Sequence, residues 1–245
     1  MEANTPDQAT TSEEVTSAKA AIAARLDRRF ELLEAILISV AAILTAWSAF
    51  QATKWGGVQA DNYSRAGAAR TESVRASTLA GQLSAVDVNT FTSWLAALGA
   101  DERAGVESGL SEDGYTPLPG TESAFLSERF RPEFRTAFDA WLATSPRGNP
   151  SAPPTPFAMS DYRVAEADRA AALEQQAEES SATARQANQR GDNYVLMTIM
   201  FALVLVLVGI GTKMDTVRPR TLLFGVATVA LVTAAVVVFT FPVEI

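Results

Sequence analysis

The sequence predicts an all-α protein with three transmembrane helices and a long antiparallel helical hairpin outside the membrane. Two observations carry this. Apolar residues gather into three runs, 32–50, 194–212 and 221–243, each close to the ~20 residues that cross a bilayer core. Beyond the first run and before the second, small residues recur at helical spacing in series that contain no charge, the pattern of two long helices packed closely together.

The 245-residue chain is 48% hydrophobic and has no Cys and no His. It therefore has no thiolate nucleophile, disulfide, imidazole base or usual zinc site, and any enzymatic chemistry would fall to carboxylates, hydroxyls, Lys or Arg. A formal charge of -8 argues against nucleic-acid binding, which relies on cations neutralising phosphates. No cofactor is expected.

Residues 1–31 form the segment before the membrane. Its first 18 residues, rich in Thr, Ser, Glu and Ala, are expected to be disordered, with a helix starting near Ser17. The first span, Leu32 to Phe50, is broken only by Glu34. Polar residues precede it and the helix continues after it, so it reads as an uncleaved anchor; cleavage near Ala46 to Ser48 is the alternative. Trp47 and Trp55 bracket its outer end, where indole rings favour the interface. The helix is expected to continue to about Leu98, with Gly56 and Gly57 able to bend it.

Along it, Ala60, Ser64, Gly67, Thr71, Val74, Thr78, Gly81, Ala85, Val88, Thr92 and Leu95 alternate steps of four and three, while Asp61, Arg65, Arg70, Glu72, Arg75 and Asp87 fall off that series. This face is expected to meet the partner helix. From Leu79 to Leu98 the apolar surface broadens around Phe91 and Trp94, so a small core is expected there. Residues 99–120, with five Gly and two Pro, mark a connection. A short amphipathic helix from Pro132 then sets Phe134, Phe138, Trp141 and Leu142 on one face, as a lid for that core. Five prolines in 145–156 predict an extended link.

A second long helix is expected from Ser160, with its own charge-free series at Ala170, Leu173, Ala177, Ser180, Ala184, Ala187, Gly191 and Tyr194. It leads into the second span, 194–212. The third, 221–243, follows a loop at 213–220 that contains Lys213, Arg218 and Arg220. A short basic loop favours the cytoplasm, which places the N-terminus inside and residues 51–193 outside.

The runs AWSAFQATKWGGVQA (46–60), RASTLAGQ (75–82), RFRPEFRTAFDAWLATSP (129–146), NPSAPPTPFAMSDY (149–162) and ANQRGDNYVL (187–196) resemble an uncharacterised family of bacterial three-span integral membrane proteins. The resemblance covers nearly everything after the first 30 residues. It implies the bacterial inner membrane and carries over no activity and no functional residue.

The candidate site lies at the outer membrane surface. Trp47, Gln51, Trp55, Gln59 and Tyr63 repeat every four residues, with Asn62 beside them, and the second long helix returns through this layer with Gln186, Asn188, Gln189, Arg190, Asp192 and Asn193. Trp55, Gln59, Asn62, Tyr63, Gln189, Arg190, Asp192 and Asn193 are the candidate ligand-binding residues, for a lipid headgroup or small polar molecule. The plainer reading has the amides tie the helices together, the rings anchor the interface and Arg190 meet Asp192 or phosphates. Glu34 reads as a proton-relay group or as a headgroup contact. Glu112 with Asp113, and Glu174 with Glu178 and Glu179, lack the spacing of a calcium loop, and Gly105 to Gly109 misplaces its Ser for a nucleophile elbow.

Three functional classes follow. The first is a noncatalytic membrane-anchored scaffold or accessory subunit of an envelope complex, bound to lipid and to a protein partner or a second copy. The second is an oligomeric channel or transport component lined by Ser39, Thr45 and Ser48. The third is an enzyme acting on lipid or wall precursors at the interface, through Arg190 and Asp192.

Overall fold

A computed structural model of the chain describes residues 7–107, 109–111, 114–214 and 216–245. It is all-helical apart from one two-residue hairpin. The order is α1 (Asp7–Arg103), β1 (Leu110–Ser111), β2 (Gly114–Tyr115), α2 (Glu122–Ser127), α3 (Pro132–Leu142), a 3-10 turn (Pro156–Ala158), α4 (Ala165–Gly211) and α5 (Val217–Val238). α1, α4 and α5 are each long and apolar enough to cross a membrane. The chain divides into two compact units, Met1–Asn62 with Ala182–Ile245, and Tyr63–Ser181.

In the first unit, α1, α4 and α5 pack side by side. Leu37 and Ala41 of α1, Phe201, Val204 and Val208 of α4, and Phe224, Ala227, Leu231 and Ala234 of α5 are buried in one cluster, spaced three or four apart so that one stripe of each helix points inward. The outward faces are apolar as well: Ile36, Ile43, Phe50, Leu203, Leu222, Val229 and Val236 are exposed. Helices that are apolar all round suit lipid, because their main-chain groups are satisfied internally and water need not wet their sides. At one end Phe30 stacks on Phe224 with centroids 5.9 Å apart, and the Arg220 guanidinium lies 4.9 Å from the Phe30 ring.

Two boundaries differ from expectation. α1 already begins at Asp7, so residues 7–18 are helical rather than disordered; Glu13, Glu14 and Ala18 there are good helix formers. Residues 1–6 lie outside the described residues. At the other end α5 stops at Val238, short of the expected 243. Pro242 has no N–H to continue a helix, and the final residues form a tail held against α1 and α4 (below).

In the second unit α1 and α4 run antiparallel. Arg70 Nη2 donates to Ser181 Oγ at 3.1 Å, and further along α1 Ser73 Oγ donates to the earlier Ala170 carbonyl at 2.9 Å. On α4 the expected face is the buried one, with Ala170 and Ala177 inside. On α1 the expectation is reversed. Every residue of the series Ala60 to Leu95 is exposed, and the buried residues are Ala66, Ala69, Ser73, Ala76, Ala80, Asp87, Phe91, Trp94, Ala97 and Leu98. At ~100° per residue this series lies on roughly the opposite side of the helix. Absence of charge selected the wrong face, because both faces are rich in small residues and the true one contains Asp87.

Asp87 is 1% exposed. Its carboxylate accepts from Arg131 Nε at 3.1 Å and Nη2 at 2.7 Å and from the Tyr162 hydroxyl at 3.1 Å. A buried carboxylate is tolerated where a planar guanidinium meets both oxygens. Hydrogen bonding to Asp87 holds the Arg131 guanidinium further above its ordinary pKa, and burial, with Asp87's charge, raises that of the Tyr162 hydroxyl.

This cluster ties α1 to the segment that carries the aromatic core, where Phe91, Trp94 and Leu98 meet Phe130, Phe134, Phe138, Trp141 and Leu142. The amphipathic lid over this end of α1 is as expected. Trp94 stands edge-on to Phe138 and Tyr115, at 4.8 and 5.3 Å between centroids, a favoured aromatic geometry. The proline-rich link after α3 is held where Trp141 Nε1 donates to the Pro153 carbonyl at 2.8 Å.

The reversed face is testable by unfolding in detergent. A Cβ at Gly81 would meet nothing within 4 Å, so Gly81→Ala is expected to stabilise the helix by about 0.5–1 kcal/mol. Ala177 is fully buried, and Ala177→Leu is expected to cost about 1–3 kcal/mol. A destabilising Gly81→Ala would return the packed face to the charge-free series.

Candidate functional site

The site is built where α1, α4 and the residues after α5 meet in the first unit. Gln51 and Trp55, one turn apart on α1, are 0% and 5% exposed. Gly191 of α4 faces this pair: a Cβ added there would sit in ordinary contact, 3.6 Å from the Ala52 carbonyl oxygen and 3.7 Å from Trp55 Cβ. One turn beyond Gly191, Tyr194 is fully buried.

These side chains hold the chain's own tail. Gln51 Nε2 donates to the Glu244 carbonyl at 3.0 Å, and the Glu244 N–H donates to Gln51 Oε1 at 2.9 Å. Trp55 Nε1 and the Tyr194 hydroxyl each donate to the Pro242 carbonyl at 3.2 Å. The Phe241 ring stands edge-on to Tyr194 at 5.4 Å. A buried amide costs free energy unless its donor and acceptor are both met, and the Glu244 main chain meets both. The Arg190 guanidinium lies 4.5 Å from the Trp55 ring centroid, a cation–π contact.

The other candidate residues do not converge on this point. Asn62 Nδ2 donates to the Val58 carbonyl of its own helix at 2.8 Å. On α4, Gln189 donates to Asn193 at 3.3 Å and Asn188 to Asp192 at 2.9 Å, so these amides brace their own helix surface. Gln59 is half-buried and Tyr63 is exposed; Tyr63 belongs to the second unit. The structure thus brings Trp55 and Arg190 together, and leaves Asp192 with Asn188 rather than with Arg190.

Sequence reasoning put Gln51 in the aromatic–amide stripe without choosing it, and missed the role of Tyr194, Pro242 and Glu244. The available signal was a proline followed two places later by Glu at the end of an otherwise uncharged span.

The proposed pore face is not one face. Ser48 is fully buried in the bundle, Ser39 is exposed, and Thr45 donates to the Ala41 carbonyl of its own helix at 2.7 Å. Nine residues separate the two serines, about 180° around the helix at ~100° per residue.

In the second unit, a crevice of about 660 Å³ is lined by Leu110, Ser111, Leu142 and residues 145–149. Its charged member, Arg147, is engaged by Glu102 at 2.6 Å. Among the described residues no three carboxylates come together as a metal site would need. Glu112 and Asp113 lie outside the described residues.

Gln51→Leu removes both partners of the Glu244 main chain and is expected to cost about 1–3 kcal/mol in detergent unfolding. Asp192→Ala breaks one exposed pair within α4 and is expected to cost no more than about 0.5 kcal/mol. The reverse order would move the polar centre of this layer from the tail to the α4 surface.

Compared with protein-family models, curated proteins and solved structures, the chain matches none.

Proposed function

We propose that this chain is a noncatalytic scaffold or accessory subunit of an envelope complex, anchored in a bacterial inner membrane by α1, α4 and α5. In this reading the N-terminus and the basic α4–α5 loop are cytoplasmic, and residues 51–193 form an extracytoplasmic helical hairpin that meets a protein partner or a second copy. The topology rests on Lys213, Arg218 and Arg220 in and beside that short loop. The bacterial origin rests on the resemblance.

One observation carries the noncatalytic reading. The buried polar groups best placed for chemistry are engaged by the protein itself. Gln51 is engaged by the Glu244 main chain. Asp87, the buried carboxylate of the second unit, accepts from three donors on Arg131 and Tyr162. A general acid or base must instead present its proton to a substrate at hydrogen-bonding distance. With its oxygens so engaged, Asp87 serves as a structural pin.

The experiment is crosslinking in native membranes, followed by affinity purification, mass-spectrometric identification and sizing in mild detergent. A scaffold is expected to yield a discrete crosslinked species containing a second copy or another envelope protein. Recovery of the chain only as an uncrosslinked monomer would remove the basis for the reading.

A further inference from the structure

The tail contacts have a chemical character that goes beyond a packing detail. Gln51 presents a donor and an acceptor side by side, the pattern of a peptide group, and both bonds go to the Glu244 main chain. Trp55 and Tyr194 direct two further donors at one main-chain carbonyl, that of Pro242. All four bonds are made to main-chain atoms of residues 242 and 244, while the Pro242, Val243 and Ile245 side chains are exposed.

We propose that Gln51, Trp55 and Tyr194 form a binding site for non-helical peptide main chain, occupied in cis by residues 241–244. When the tail leaves, the site takes an equivalent main-chain segment of another polypeptide. The buried Gln51 amide makes the site demanding. Once vacated, it leaves a donor and an acceptor in an apolar bundle, and a second peptide group restores both bonds. Because the tail is tethered, it competes at a high effective concentration, so the site is closed until the tail is drawn away.

The test uses the full chain with Glu244→Pro, which lacks the N–H that Gln51 Oε1 accepts. Thermal unfolding in nanodiscs is followed by tryptophan emission with two synthetic peptides at millimolar concentration. One is the hexapeptide matching 240–245; the other is the same peptide N-methylated at the amide of the position-244 residue. The variant is expected to melt about 3 °C or more below the natural chain. The plain peptide is expected to restore most of that loss, and the methylated one, more apolar but lacking the N–H, to restore none. An unchanged midpoint, no rescue, or equal rescue by the methylated peptide overturns the proposal.

If the proline variant does not fold, Glu244→Cys in this cysteine-free chain replaces it, read by maleimide labelling. The plain peptide is then expected to speed labelling several-fold and the methylated one to leave it unchanged. Equal rates with both peptides overturn the proposal.

Discussion

Close approach of α1 and α4 is the constraint from which the rest follows. Ala66, Ala69, Ala76 and Ala80 on one helix, and Ala170 and Ala177 on the other, are buried, and side chains this small let the two backbones come near each other. Only then can a group as short as the Ser73 hydroxyl reach the Ala170 carbonyl at 2.9 Å. In the first unit Gly191 likewise faces Ala52 and Trp55 across the contact. Little apolar area is buried per residue along such a contact. Each unit is therefore secured by other contacts as well: the Asp87 cluster and aromatic core in the second, and the tail contacts in the first.

Much of this was legible in the sequence. The three apolar runs, the small-residue face of α4 and the aromatic stripe of α3 are periodic signals that tertiary contacts reinforce. The partner face of α1 was not legible, and the reason is physical. Both sides of this helix are built from Ala, Gly, Ser and Thr, so composition does not separate them. Excluding charge then penalised the true face for one residue, Asp87, whose cost is offset by Arg131 forty-four positions later. A pairing at that separation has no local signature. The tail was lost for a similar reason. Residues 239–243 are apolar enough to read as membrane span, and the groups that hold this tail, Gln51, Trp55 and Tyr194, are far away in sequence.

The candidate site is correspondingly sharper and smaller. Of the residues chosen for a polar ligand, Trp55 and Arg190 contribute to one centre, while Asn62, Gln189, Asp192 and Asn193 spend their hydrogen bonds along their own helices. What the layer presents is a set of groups matched to a peptide backbone and filled by the chain's own.

The central claim is that α1 and α4 leave and re-enter one side of the membrane while the α4–α5 loop faces the other. The absence of natural cysteine makes its test direct. Thr78→Cys on the exposed face of α1 and Thr216→Cys beside the loop are each placed singly in the full chain, both positions being exposed. Intact cells whose outer membrane has been made permeable are treated with a maleimide that cannot cross the inner membrane. The account predicts rapid labelling at position 78, and labelling at 216 only after the inner membrane is opened. Labelling of 216 in intact cells, or equal labelling of both positions, would contradict it.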